Sequence, residues 1–399
     1  MTDSYDCIVC GGGIVGLTTA LALARAARRV LLLDAGDEPQ HDGAGAHDLR
    51  VSTLNLASYR VLRSLGVWPA VERRRAYPFQ AMHVWDAGGA GRIRFDAQTL
   101  GELQLGFVVE NRVVQAALCE ALAAEDNATL RFTTRPESLQ VGKQVKCRLQ
   151  AGGSVQARLL VGADGNDSWV RQAGGIAVSS TDYAQRAIVC NVGTEHPHEA
   201  TAWQRFLRTG PLALLPLTAH ECSIVWSADA PLAERLLGMQ DAEFAARLNE
   251  AFGRRLGRLE PLSGRAGFPL RRQHAARYVQ PRIALVGDAA HTIHPLAGQG
   301  VNLGILDAAA LVDSLPAPDR DPGELRGLRA YERWRRSENQ IMQLAMDGFY
   351  HTFGSGNYSV RWLRNAGLTL VDSVTPAKRF LARRAMGVAG DLPRLARAA

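Results

Sequence analysis

The residues best placed to do chemistry lie late in the chain. Ile283-Ala284-Leu285-Val286-Gly287-Asp288 reads as a buried strand with an Asp at its end. It runs on through Ala289-Ala290-His291 into a loop rich in Gly and Pro, His294-Pro295-Leu296-Ala297-Gly298-Gln299-Gly300-Val301-Asn302-Leu303-Gly304, and then a helix start. Glycine lets backbone approach a ligand closely, and a carboxylate at the carboxyl end of a strand is placed to grip one.

A second constellation opens the protein. Cys7-Ile8-Val9-Cys10 is an apolar strand, and Gly11, Gly13 and Gly16 fit G-x-G-x-x-G. Leu17 through Ala27 reads as a helix, and Val30-Leu31-Leu32-Leu33 is a second strand closed by Asp34. The first glycine allows the tight turn, the second admits a pyrophosphate, and the third lets helix and strand pack. The helix N-terminus offers N–H groups to the phosphates, and the acid is spaced to bond a ribose hydroxyl. Only one such fingerprint is present, so the distant Gly287-Asp288 segment implies a single extended dinucleotide that stays bound. A third segment, Leu159-Leu160-Val161-Gly162-Ala163-Asp164-Gly165, is another buried strand ending in Asp-Gly, followed by Ser168 and Arg171.

Other reactive types point elsewhere or nowhere. His291 and His294 suggest a metal pair but have no third ligand nearby, so no metal is expected. The cysteines are Cys7, Cys10, Cys119, Cys147, Cys190 and Cys222. Cys7 and Cys10 make C-x-x-C, yet on a strand they point to opposite faces. No disulfide framework or metal spacing is visible. Asp307 lies beyond the glycine loop on a helix and serves as a reference position without a role.

These residues need a frame. At 399 residues the chain exceeds the usual single core, so two domains are expected. A polar loop to His47 leads to Arg50 and a helix from Leu56 to Leu65. Residues 79–109 look like a hairpin around Gly88-Gly89-Ala90-Gly91, and Asn111 is placed to cap the helix after it. Leu130 to Leu149 looks like paired strands. Residues 183–228 are strand-rich, Glu234 to Leu256 is helical, and so is the region from Arg326, broken around Gly354-Ser355-Gly356-Asn357. With no linker visible, the domains are expected to interleave.

Net charge is +7, carried almost wholly by Arg. It suits an anionic cofactor, an acidic membrane surface or nucleic acid, but no nucleic-acid motif is present. No apolar run is long enough for a transmembrane helix and no signal peptide precedes the first strand, so a cytoplasmic location is expected. From Arg361 onward, Arg364, Lys378, Arg379, Arg383, Arg384, Arg394 and Arg397 interleave with Leu363, Leu368, Phe380, Leu381 and Met386. Such a segment is either a helix packed on the cofactor domain or a basic face lying on an anionic bilayer at the inner membrane.

The three motifs, in this order, resemble the FAD-dependent aromatic hydroxylases, the class A flavoprotein monooxygenases typified by para-hydroxybenzoate hydroxylase. His291 through Gly304 is similar to the branch that hydroxylates polyprenylated phenols in ubiquinone biosynthesis. So are Glu110-Asn111-Arg112, Gly210-Pro211-Leu212-Ala213-Leu214-Leu215-Pro216-Leu217, Cys222-Ser223-Ile224-Val225-Trp226, and the tail from Met346 to Gly387.

The resemblance implies an α/β fold: a Rossmann-like FAD-binding domain (1–75, 101–178, 270–340), an interleaved mixed-sheet substrate domain (76–100, 179–269) and a C-terminal helical region (341–399). It implies FAD, NAD(P)H as reductant and O2, acting through a flavin C4a-hydroperoxide. It gives Gly11, Gly13, Gly16, Asp34, Arg50, Arg112, Asp164, Gly165, Gly287, Asp288, Gly298, Gly300, Val301 and Asn302 as cofactor contacts. Pro295, Gly298 and Gly300 lie beside the flavin, with no side-chain acid or base assigned. Trp203, Phe206, Leu215, Pro216 and Trp226 fall on the substrate sheet. A polyprenylated phenol is the implied substrate, with other quinone-synthesis proteins as partners. A soluble-aromatic hydroxylase, a prenyl-chain reductase and a non-catalytic flavin-binding subunit remain open.

Overall fold

The computed structural model describes residues 3–293, 300–354, 365–367, 372 and 374–398. Among the described residues there are two large sheets and one small one. The first has a parallel core in the order Ile283–Leu285, Ser154–Gly162, Asp3–Cys10, Val30–Leu33, Ala128–Arg131. Parallel strands covered on both faces need continuous apolar runs, and Cys7-Ile8-Val9 and Val30-Leu31-Leu32 are fully buried. The hairpin Pro136–Val141 and Val145–Leu149 extends this sheet from Ser154–Gly162.

Register decides what the sheet can do. Cys10 pairs with Leu33 and with Gly162, and Gly162 pairs with Leu285. Three strands far apart in sequence therefore end at one level, and their next residues leave the same sheet edge. In open α/β sheets that edge is where ligands bind. The helix Ile14–Arg25 rises from it and packs against Asn111–Ala123 and Gly300–Ser314.

The second sheet is mixed. Its order is His291–Thr292, Ala266–Ala275, Val178–Thr194, Glu221–Asp229, Gly210–Thr218, Thr201–Leu207, Ala81–Asp86, Arg92–Asp96, with Leu259–Pro261 beside Val178–Thr194. All pairings are antiparallel except Thr201–Leu207 with Ala81–Asp86. The passage between domains expected at residue 270 falls inside Ala266–Ala275. Val51–Asn55, Tyr77–Phe79 and Gly106–Glu110 form the small sheet.

Two local expectations are corrected. Glu234 to Leu256 is not one helix: Ala230–Gly238 and Asp241–Phe252 are separated by Met239 and Gln240 in extended conformations. Asn111 does not cap the helix it opens. Glu110 holds that position, and the Asn111 Oδ1 accepts instead from Ser52 Oγ at 2.6 Å. The helix Leu325–Gly354 ends where a break was expected, and Ser355 to Asn357 lie outside the described residues.

Candidate functional site

A cleft of about 1420 Å³ separates the carboxyl edge of the first sheet from one face of the second. Ordinary small-molecule pockets hold roughly 300–1,000 Å³, so this one has room for a dinucleotide and a second molecule. Gly11, Gly13, Asp34, Arg50, Arg112, Asp164, Gly165, Asp288, Gly300, Val301 and Leu215 all line it.

The fingerprint glycines have separate jobs. Gly11 has φ +113°, a conformation L side chains rarely adopt, and a Cβ there would strike the Ala163 carbonyl. A Cβ at Gly16 would collide with the Gly11 carbonyl oxygen, whereas one at Gly13 meets nothing within 4 Å. The open space at Gly13 lies before an N-terminus that no side chain caps. Free N–H groups and the positive dipole end there suit a phosphate. Asp34 accepts from Gly12 N at 2.5 Å and Gly36 N at 2.7 Å, which fixes its carboxylate at the cleft. This cradle fits a dinucleotide.

Asp164 accepts from Ser168 Oγ at 2.5 Å and Val170 N at 3.0 Å. Burial raises its carboxyl above the usual range, and these two hydrogen bonds oppose that. Arg171 donates to the Asn166 carbonyl at 2.5 Å and the Ala289 carbonyl at 2.9 Å. It thereby ties the Asp164 loop to the Gly287-Asp288 segment, so the second motif braces the third.

Asp288 is exposed, and the surface it exposes lines the cleft. Burial of its surroundings raises its carboxyl, with His291 acting against that and Asp307 reinforcing it. Asp307 is no neutral reference. It is fully buried and accepts from Gly287 N at 3.1 Å, His291 Nε2 at 2.5 Å, Arg335 Nε at 2.8 Å and Asn339 Nδ2 at 3.1 Å. Burial alone would raise it, but the His291 and Arg335 charges and hydrogen bonds outweigh that and hold it at about 2. His291 is thus committed to the support of the Gly-Asp turn. Arg335 and Asn339 carried no sequence motif, since the bonds bridge 28 and 32 residues.

Asn302 is buried away from the cleft. Its Oδ1 accepts from Asn55 N at 3.0 Å and its Nδ2 donates to the Thr53 carbonyl at 2.8 Å, which anchors the helix Gly300–Ser314. Pro295 and Gly298, with His294, lie outside the described residues. The Arg50 guanidinium stacks 4.9 Å from the Phe268 ring centre, while Arg112 is largely exposed beside Asp48 at 3.8 Å. His41, Asp48 and Glu110 cluster at metal-binding spacing, but Arg75 lies 3.5 Å from Glu110 and Arg112 beside Asp48, so cations already meet these carboxylates. The six cysteines are buried and unpaired, and burial pushes Cys7 and Cys147 up to about 12.

Strand parity sorts the aromatics. Leu215 lines the cleft with Ala187, Val189, Pro211, Ala213, Val225, Ser227, Ala266 and Phe268. Trp203, Pro216 and Trp226 fall on the alternate positions. Trp203 and Trp226 pack with Leu212, Leu214 and the helix residues Phe244 and Leu248 behind the sheet. Phe206 stacks on Phe353 of the long helix at 3.8 Å between ring centres.

Sequence similarity, beside this fold and cleft, places the chain among the FAD-dependent monooxygenases. The FAD binding domain family matches residues 4–345, and the chain belongs to it. It is 39% identical to 3-demethoxyubiquinol 3-hydroxylase of Escherichia coli, covering 95% of this chain and 98% of that protein. It is 37% identical to ubiquinone hydroxylase UbiL of Rhodospirillum rubrum (98% and 92%), and 35% to the mitochondrial ubiquinone biosynthesis monooxygenase COQ6 of Homo sapiens (94% and 92%). The fold matches p-nitrophenol 4-monooxygenase PnpA from Pseudomonas putida with a TM-score of 0.78 at 20% identity, over 98% and 99% of the two chains.

Proposed function

We propose that this enzyme hydroxylates the aromatic ring of a polyprenylated phenol in ubiquinone biosynthesis, with NAD(P)H as reductant and dioxygen as oxidant. The observation that carries the reading is near full-length similarity to three ubiquinone hydroxylases, beside a cleft with a dinucleotide cradle on one wall and an apolar sheet on the other. Bound FAD supplies the redox chemistry, passing reducing equivalents from NAD(P)H to dioxygen. The chain's own residues hold and shield. Gly11, Gly13 and the helix N-terminus take the pyrophosphate, Asp34 a ribose hydroxyl, and Asp288 the hydroxyls of the flavin chain. Arg50 and Arg112 add phosphate or ribose contacts, and Gly300 and Val301 leave backbone N–H groups near the ring system. The wall from Ala187 to Phe268 keeps water from the reacting ring. In this reading 1–75, 101–178 and 270–340 carry the flavin, except that Ala266–Ala275 stays whole in the substrate sheet.

The test is isotopic. With heavy-isotope oxygen gas the new hydroxyl carries nearly full label, and with labelled water it carries none. Label from water would move the chain to the dehydrogenase reading. NAD(P)H oxidation with no product would favour a subunit that only binds flavin.

The C-terminal helix Thr375–Ala385 is part of the same reading, as a contact with an anionic membrane surface. Among the described residues no helix is long and apolar enough to cross a membrane. Phe380 and Leu381 are nonetheless 60% and 40% exposed beside Arg379 and Arg383, which form no ion pair among the described residues. Lys378 is paired with Asp372 and Arg384 with Glu338, so those two belong to the fold. Reversing Arg379 and Arg383 to Glu is expected to weaken sedimentation with anionic vesicles at least about tenfold at low salt. The difference shrinks as salt rises, because screening acts within ~10 Å at 0.1 M. Unchanged sedimentation with full flavin content would leave a packed helix and no membrane contact.

A further inference from the structure

One polar side chain on the substrate wall has no hydrogen-bond partner among the described residues. Gln204 lies mid-strand in Thr201–Leu207, is 4% exposed, and lines the cleft. Its carboxamide makes no hydrogen bond to any described residue. The neighbours in sequence face the other way: Trp203 packs behind the sheet, and Arg205 Nη1 donates to the Ala251 carbonyl at 2.7 Å. The amide opens onto the cleft with no partner among the described residues, so a ligand entering the cleft can complete its hydrogen bonds.

The surroundings define that ligand. Gln204 pairs in register with Ala213, Ala213 with Val225, Val225 with Val189, and Val189 with Ala266. These side chains share one face and all line the cleft. At a strand spacing of about 4.8 Å the strip runs roughly 19 Å and is apolar, with the amide at one end. It suits a planar ring with an apolar extension and an oxygen at the Gln204 end.

We propose that the Gln204 carboxamide bonds a ring oxygen of the substrate and so fixes which ring position is presented for hydroxylation. The inference rests on the reading of the cleft as an aromatic hydroxylation site. The described lining residues include no His, Tyr, Lys or Glu. A carboxamide does not titrate, so Gln204 orients a phenolic oxygen without removing its proton.

The experiment is a chemical double cycle on the flavin-loaded enzyme. Dissociation constants are measured from the flavin absorbance change for a short-chain prenylphenol and for the matching prenylbenzene, which lacks the oxygen. In the native enzyme the phenol binds more tightly. In Gln204→Met, isosteric and apolar, the gap is expected to shrink by about fivefold to tenfold, the worth of one net hydrogen bond. Product formed per NAD(P)H consumed falls in parallel, and flavin content stays native. An unchanged gap overturns the proposal. Should the Met variant lose flavin, Gln204→Asn, which keeps the amide and retracts it by one methylene, carries the same cycle. If the native enzyme binds both compounds but hydroxylates neither, the hydroxylase reading fails while the cycle still reports on Gln204.

Discussion

Asp307→Ala is expected to lose flavin and stability together, whereas Asp288→Ala loses flavin alone. Asp307 is fully buried, and its removal leaves Arg335, 3% exposed, without a counter-charge. Breaking a buried ion pair on one side costs about 3–5 kcal/mol, a large share of the ~5–15 kcal/mol that holds a typical protein folded. The same substitution frees Gly287 N and His291, the two groups that shape the turn presenting Asp288. Asp288 itself lines the cleft and its side chain makes no hydrogen bond among the described residues, so its loss is expected to leave apoprotein unfolding native. Denaturant unfolding of both apoproteins, with flavin content measured separately, checks the pair. Native unfolding of Asp307→Ala would mean the buried network does not support the site. The network also sets an acid limit. A carboxyl held at about 2 in the fold, against an ordinary 3.8, contributes stability fully present above the unfolded value and lost as pH falls through about 2.

The contrast between these two aspartates shows what sequence could carry. Gly11, Gly13, Gly16 and Asp34 were legible because a turn, a helix start and a strand end lie within one short unit, each with its own chemical cue. Asp288 was legible as an acid closing an apolar strand. The role of Asp307 was not, since its partners His291, Arg335 and Asn339 meet it only after three elements pack. The parallel sheet was visible in runs such as Val30-Leu31-Leu32-Leu33, but the shared level of Cys10, Leu33, Gly162 and Leu285 is a matter of register. On the second sheet, large aromatics drew attention as pocket candidates. Alternation put Trp203 and Trp226 behind the sheet, where two helices supply apolar cover, and left the cleft to Ala187, Ala213 and Ala266. Small side chains leave no mark in a sequence, yet they make the room. Gln204 gave no signal at all, because polar neighbours flank many strand positions that face water.

Gly16→Ala and Gly13→Ala are expected to separate folding from cofactor binding at a single loop. At Gly16 the added methyl meets the Gly11 carbonyl oxygen, a backbone atom that cannot swing aside. The helix Ile14–Arg25 must shift off its strand. That costs at least the ~1–3 kcal/mol of an overpacked core, and the shift carries the N-terminal N–H groups out of line. This variant is expected to be less stable and devoid of FAD. At Gly13 the backbone is extended at φ −71°, a conformation open to any residue, and the methyl meets nothing. The apoprotein is expected to unfold as the native one does. The same empty space is where a pyrophosphate would approach the helix, so FAD is expected to bind about 10- to 100-fold more weakly, matching that overpacking cost. Apoprotein unfolding curves and flavin titrations on both variants read the two effects independently. Native affinity in Gly13→Ala would take the pyrophosphate away from this turn, and with it the assignment of the free N–H groups at the start of the helix.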